Sequence, residues 1–332
     1  MMSKTGNARV MTHVNDMVLY APADRPAQLD VSVILCTRNR VDALRDALDS
    51  LAAAIQASGN VSAEIVLVDS ASTDATPDLL RSWAESQSFP VVAIRCLLPG
   101  LARARNAGLS QSRGAIIAMT DDDCVVAADY LDKIKAAFAS ESGPAIIGGR
   151  INLGDTRDLP ITIKPDPEPK VFDKMRMPSG FIMGANLSFN RRVIKELGEF
   201  DVRFGAGARF VSAEDSDLLV RARIKGIRVR YAPEIVVSHF HGRRQLSDAQ
   251  KLNAGYSFGD GALFAKHLFA TSFIARAIIG ALARSARDLV LPSNDPILGR
   301  RKHLFRLKHQ FRGFAAFLRT RNIPEDGAFK AG

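Results

Sequence analysis

The chain has 332 residues, of which 47% are hydrophobic and 24% charged, a composition that supports one large α/β domain or two modest ones and argues against wholesale disorder. Its three cysteines, Cys36, Cys96 and Cys124, are too scattered for a disulfide framework or a paired-cysteine metal site, so a reducing cytoplasm is the expected setting. The net charge is +10, but Arg300, Arg301, Lys302, Arg306, Lys308, Arg312, Arg319 and Arg321 supply eight of those charges with no acidic residue among them, which points to a local anionic surface as partner and not to nucleic acid.

Residues 1–29 lack the basic start and apolar run of a secretory signal and read as a loosely structured arm. No charge-free stretch approaches the length of a membrane span, so the chain is expected to cross no membrane. The ordered pattern then begins. Val31 to Cys36 predicts a strand and Val41 to Ile55 a helix; Glu64 to Val68 predicts a second strand, and Pro77 to Trp83 starts a second helix. A strand at Val91 to Leu97, a helix from Leu101 to Ser110 and a strand at Ala115 to Thr120 follow, the last closed by Asp121, Asp122 and Asp123. Strands alternating with helices imply a parallel sheet with right-handed crossovers, whose ligands sit beyond the carboxyl ends of the strands. Asn39, Asp69 and the three aspartates all fall there.

After a helix at Tyr130 to Ala139 and an apolar segment at Ala145 to Ile151, five prolines between Pro160 and Pro178 break the pattern, which predicts a long surface excursion. Asn186 to Phe189, a helix through Leu197, a glycine-containing loop at Phe204 to Phe210, a helix from Glu214 to Lys225 and two strands, Arg228 to Tyr231 and Ile235 to Ser238, come next. The last eighty residues read as helical.

Three consecutive aspartates repel one another and raise each other's pKa unless a cation neutralises them, and oxygen ligands suit Mg²⁺ or Mn²⁺ bridging to phosphates. A solvated acidic turn is the plain alternative; the position at the mouth of a parallel sheet favours the metal. Glu214-Asp215 opens a helix, where carboxylates serve either as caps or, near a leaving group, as a general base for an acceptor hydroxyl, and the residues alone leave the two readings even. His239 and His241 lie on one side of an extended chain, and either is a candidate extra metal ligand or a structural histidine. Arg103 and Arg105 are candidates for phosphate pairing, against an exposed helix face. Gly205-x-Gly207 is not a dinucleotide fingerprint, and neither a Walker lysine loop nor a GxSxG elbow is present.

In this order, the motifs resemble the family 2 glycosyltransferases, whose fold is called GT-A, from about Val31 to His241. The carriers are Val31-Ser-Val-Ile-Leu-Cys-Thr-Arg-Asn39, Val68-Asp-Ser-Ala-Ser-Thr-Asp74, Gly100-Leu-Ala-Arg-Ala-Arg-Asn-Ala-Gly108, Thr120-Asp-Asp-Asp-Cys124 as a DxD motif, Gly184-Ala-Asn-Leu-Ser-Phe189, Phe200-Asp201 and Glu214-Asp215. The resemblance implies an α/β GT-A fold with a mostly parallel, Rossmann-like sheet. It also implies inverting transfer of a sugar from a nucleotide-diphosphate donor to a saccharide or lipid-linked acceptor hydroxyl, in polysaccharide or cell-envelope glycan synthesis. It assigns Thr37, Arg38, Asn39, Asp69, Ser70, Arg105, Asp121 and Asp122 to the donor, Asp123, Asp121 and His239 to Mn²⁺ or Mg²⁺, and Asp215 to the base. Ser70 stands where many relatives carry an acidic residue that reads uracil, so UDP is favoured by family frequency only. Cys36 and Arg38 depart from the usual Pro and Tyr. A sugar-nucleotide nucleotidyltransferase, or a non-catalytic nucleotide-sugar-binding module, is the alternative; the first usually needs a glycine-rich basic loop that Cys36 to Val41 lacks.

The expected organisation is an arm over 1–29, a catalytic domain over 30–245 and a basic helical region over 246–332. Within the catalytic domain, 30–125 is the donor half and 145–245 the acceptor half, with Asp155 to Gly180 and Phe204 to Ala213 as acceptor loops. From Leu263 to Val290 a single amphipathic helix is expected, with Lys266, Arg276, Arg284 and Arg287 on one face and Ile274, Ile278, Ile279 and Leu282 largely opposite. Its apolar face is expected to pack on the catalytic domain, with peripheral contact to the inner face of an anionic membrane as the further hypothesis.

Overall fold

The computed structural model describes residues 16–172 and 177–320. The start of the expected arm, part of the proline-rich loop and Arg321 lie outside them.

A ten-stranded sheet organises the described chain. Its parallel part is built from β2 (Leu29–Thr37), β3 (Ala63–Ser70), β4 (Val91–Cys96) and β5 (Gly114–Asp121), with β1 (Met17–Tyr20) antiparallel on the β4 edge. Every residue of β3 is buried, as expected of a parallel strand covered by helices on both faces. Alternation along β2 separates two cores. Val31, Val33 and Leu35 pack with α1 (Arg45–Ala57), α2 (Thr76–Glu85) and α4 (Tyr130–Phe138), while Ile34 packs with α3 (Leu101–Gln111) on the other face.

The second half of the sheet mixes directions. β9 (Asn186–Asn190) runs antiparallel between β5 and β7 (Ala145–Leu153), and β10 (Arg228–His239) is parallel to β7 and antiparallel to the short β6 (Cys124–Val126). α5 (Arg191–Leu197) and α6 (Glu214–Lys225) flank it. The architecture is the mixed α/β fold with a largely parallel central sheet that the motif order implied.

Several expectations change. Residues 16–29 are not a loose arm: β1 pairs with β4, and the Arg25 guanidinium meets Glu64 at 2.7 Å under the sheet. The first helix starts at Arg45 and not Val41, because the amides of Ala43 and Leu44 turn back onto the Arg40 carbonyl. The two expected strands after Lys225 are one strand, β10, whose pairing with β7 slips between Ala232 and Val236. That irregularity contains Pro233, which has no amide to give to a ladder. The proline-rich excursion is pinned: Ile151 and Lys164 exchange backbone hydrogen bonds, and β8 (Lys170–Val171) pairs with β10.

The expected single helix over Leu263 to Val290 is two, α7 (Leu246–His267) and α8 (Ser272–Val290), followed by α9 (Lys302–Thr320). Thr271 caps α8 by accepting the Phe273 amide at 3.2 Å, which restarts the helix in a new direction. Lys266 therefore leaves the basic face; its ammonium lies 2.7 Å from Asp201 and from Asp217. Ile274 is buried, whereas Ile279 and Leu282 are exposed. The three helices share a core with Phe204, Phe210, Ala213 and Val220, and α7 crosses α9 where Gly261 abuts the Gln310 carbonyl and Gly313 abuts the Phe258 carbonyl. Among the described residues no helix is long and apolar enough to cross a membrane.

Candidate active site

Parallel register places the carriers of chemistry on one rim. Thr37 is level with Asp69, Cys36 with Asp121, and Ser70 with Cys96, so the ends of β2, β3, β4 and β5 open on the same side of the sheet. Thr37 donates its hydroxyl to Asp122 at 2.6 Å. The Asn39 amide donates to Ser72 at 2.9 Å, and its side-chain oxygen accepts from the Thr73 amide at 2.8 Å, which ties the first loop to the second. Asp69, fully buried, accepts from the Ser72 amide and lies 3.3 Å from Arg95. Ser70 accepts from the Gly100 amide at 3.1 Å, and Arg38 is exposed at the rim.

The three aspartates have three different surroundings. Burial, more than mutual repulsion, raises Asp121 and pushes Asp122 up to about 6, against the pull of Arg105 on the first and of Thr37 and Arg40 on the second. Asp123 goes the other way: burial raises it, but the hydrogen bond and charge of His239 and the nearby guanidiniums of Arg40 and Arg243 together hold it low. Arg40 and Arg243 are not among the sequence candidates, although Arg40 directly follows the first motif and Arg243 lies two residues past His241.

Strand β6 brings His239 to Asp123. His239 is in register with Cys124, and the Phe240 amide donates to the Asp123 carbonyl at 2.8 Å, which leaves His239 Nε2 3.1 Å from the Asp123 carboxylate. On the other side of the ring, Thr162 gives its hydroxyl proton to the Ile161 carbonyl, so toward Nδ1 it offers only acceptors, its carbonyl at 3.2 Å and its Oγ1 at 3.3 Å. Nδ1 must then carry a proton, and Nε2 faces the carboxylate either with a second proton or as a bare lone pair that only a cation reconciles with Asp123. Two ligands about 2.1 Å from an octahedral ion sit about 3 Å apart, so Asp123 and His239 are spaced as residues that would hold Mn²⁺ or Mg²⁺. Cys124 has its sulfur within 4.8 Å of the same atoms, but burial drives its thiol well above the usual range and a hard ion has little use for it. Asp121 stands apart from this group and turns to Arg105 at 3.5 Å. His241 is engaged elsewhere: it donates to the Leu159 carbonyl at 3.1 Å and accepts from the Arg243 amide at 3.0 Å.

Arg105 is not on an exposed helix face. It is 3% exposed and spans from Asp121 to Glu214, which it meets at 2.8 Å. A Cβ on Gly184 would lie 2.4 Å from its guanidinium, so glycine is what lets the chain pass. Glu214 is buried, and burial together with the charge of Asp215 pushes it up to about 7 despite Arg105. Asp215, one residue on and partly exposed, accepts from the Gly184 amide at 3.0 Å and from the Ser216 amide at 2.5 Å. Ser212, just before α6, donates its hydroxyl to the Gly255 carbonyl on α7 at 3.0 Å.

Helix α7 also borders the site. The charge of Asp215 reaches Tyr256 and Asp260, and Asp260 is pushed up to about 7, chiefly by burial, against the pull of Arg306. A cleft of about 210 Å³ lies between Ile161, Thr162, Asn253, Tyr256, Ile297 and Arg306. Four described non-glycine residues have positive φ: Asn39 and Ala71 just past the ends of β2 and β3, Thr162 against His239, and Ala213 immediately before α6.

Comparison with known proteins follows the same lines. The family model for Glycosyl transferase family 2 matches residues 32–198. A glycosyltransferase of Haloferax volcanii, AglE, is 23% identical over 214 residues, covering 63% of this chain and 66% of that protein. The succinoglycan biosynthesis protein ExoO of Rhizobium meliloti is 33% identical over 105 residues, 32% of this chain and 28% of that one. The chain thus spans no more than 66% of the length of these curated relatives. Among solved structures, a mannosyltransferase from Pyrobaculum calidifontis in complex with GDP-Man and Mn²⁺ superposes with a TM-score of 0.56 at 19% identity, over 90% of each chain, a likeness of fold.

Proposed function

The chain belongs to glycosyl transferase family 2, and from that premise we propose that it transfers a sugar from a nucleotide-diphosphate donor to an acceptor hydroxyl with inversion. The observation that carries the reading is the Arg105 bridge, which holds the strand end bearing Asp121 and the helix end bearing Asp215 at one cleft.

The acceptor oxygen attacks the anomeric carbon as the bond from that carbon to the diphosphate breaks. Asp215 takes the acceptor's proton, and the electron pair leaves with the nucleotide diphosphate. Asp215 suits this work: it is partly exposed, and the Gly184 and Ser216 amides fix its orientation. Asp123 and His239 would hold the divalent cation, which supplies charge stabilisation to the departing diphosphate. Thr37, Arg38, Asn39, Asp69 and Ser70 form the nucleoside side of the cleft, with Asp121 and Asp122 toward the ribose. Arg105 has no free face for phosphate and acts as a positioning residue. The cleft beside Tyr256 and Arg306 is the acceptor side, where an aromatic ring and polar groups suit a saccharide, free or lipid-linked, as the polysaccharide role in one relative's name also suggests.

A UDP-sugar is the first donor to test and a GDP-sugar the second, because the Pyrobaculum enzyme was solved with GDP-Man. A thermal-shift screen of UDP-, GDP- and dTDP-sugars with and without Mn²⁺ should give one donor class that stabilises the fold only with metal. Asp215→Asn should keep that shift and lose transfer by about 10²–10⁴-fold. The proposal fails if no nucleotide stabilises the protein even with Mn²⁺.

A further inference from the structure

Helix α8 keeps an apolar stripe in solvent. Ile279 is 64% exposed, Leu282 51%, Leu289 64% and Val290 80%, and Phe269 just before the helix is 95% exposed. On a helical wheel the four α8 residues fall within an arc of about 100°. The opposite side is occupied: Phe273, Ile274, Ala281, Ser285 and Asp288 are buried, Arg223 lies over the Phe273 ring, and Ser285 donates to the His303 carbonyl of α9 at 3.0 Å. The stripe is therefore what remains after α8 has docked on its own fold, and large apolar side chains left together in water mark a contact surface.

Its charge setting selects the partner. Arg276, Arg284 and Arg287 are exposed and lie to one side of the stripe. From His267 to Thr320 the only acidic residues are Asp288 and Asp295, and both are spent inside the fold. Asp288 is 2% exposed and accepts from the His303 amide at 2.6 Å, while Asp295 accepts from the Ile297 and Leu298 amides and sits 3.5 Å from Lys302. A second copy placed stripe to stripe would bring arginines together with no carboxylate in this region to receive them. An anionic lipid surface offers both an apolar layer and matching charge.

We propose that α8 lies in the surface of an anionic bilayer, with Ile279, Leu282, Leu289 and Val290 inserted at the acyl boundary and Arg276, Arg284 and Arg287 at the phosphate level. The contact does not depend on the glycosyl-transfer reading.

The test is sedimentation of the full chain with phosphatidylcholine vesicles containing about one third phosphatidylglycerol, against pure phosphatidylcholine. The protein should pellet with the anionic vesicles and not with the neutral ones. Ile279→Glu with Leu282→Glu should cut the partition coefficient at least tenfold while leaving the melting temperature unchanged. The triple charge reversal at Arg276, Arg284 and Arg287 should abolish binding to the anionic vesicles. Equal pelleting of wild type and the double variant overturns the proposal, as does equal binding to neutral vesicles. A wild-type dimer in analytical ultracentrifugation that the same double variant dissociates, without vesicle binding, reassigns the stripe to self-association.

Discussion

Arg105 and Glu214, 109 residues apart in the chain, meet at 2.8 Å beneath the cleft, and the same guanidinium lies 3.5 Å from Asp121. From α3, the one guanidinium ties the end of β5 to the first turn of α6. The two halves of the site thus share one buried cation, and the chemistry of each depends on it.

Removing that cation should have a pH signature. Glu214 already has its pKa raised to about 7 by burial and by Asp215, and Arg105→Gln raises it further. A carboxyl held above its unfolded value opposes folding increasingly as pH climbs from that value toward the folded one. The variant should therefore lie closest to wild type in denaturant midpoint near pH 5 and fall behind by pH 8, at about 1.4 kcal/mol per added pKa unit. A gap that is constant over this range would show that Glu214 does not feel Arg105.

Asp217 makes the opposite case. It is fully buried, and His267, Lys266 and Arg221 approach it at 2.8, 2.7 and 2.8 Å. Burial raises its pKa, but these three partners outweigh burial and hold it well below the usual carboxylate range. Its stabilisation is complete above the unfolded value near 4 and disappears as pH falls through the folded value. Asp217→Asn should cost about 3–5 kcal/mol at neutral pH and should flatten the loss of stability below pH 4, both measured by urea titration.

For the metal, Asp123→Asn and His239→Gln should each weaken Mn²⁺ binding about 10–100-fold, read as a Mn²⁺ titration of the donor-dependent thermal shift. Asp122→Asn should move it less, since Asp122 is engaged by Thr37 and Arg40 and lies outside the Asp123–Cys124–His239 group. Equal effects at all three positions would mean that the cation sits elsewhere.

Much of the first half of the sheet was legible in the sequence because parallel strands are short buried runs with glycine and proline punctuation, and Asn39, Asp69 and Asp121 fall at or just past their ends. The second half was less so. Three residues, Cys124–Val126, are too few to show a period, yet their pairing with β10 is what delivers His239 to Asp123. The role of Arg105 was invisible for a different reason. Its partner is on a helix that only the tertiary fold brings near, and along α3 it looks like any other arginine. The helix break at Leu268 to Thr271 is hidden in the sequence because apolar and basic residues keep helical spacing across it, so periodicity alone runs one helix through two.

The seam between α7 and α9 has a practical corollary. Gly261 and Gly313 each face the other helix's carbonyl, and a methyl group at either would come within 1.9 Å of it. Such a reciprocal pair fixes both the slide and the rotation of α9 on α7, the helix that carries Asn253 and Tyr256 to the cleft. Trimming the chain before α9 would not remove an appendage; it would strip the backing from one wall of the site. Lost membrane binding in such a truncation would report damage to the fold, which is why point changes on α8 are the sound experiment.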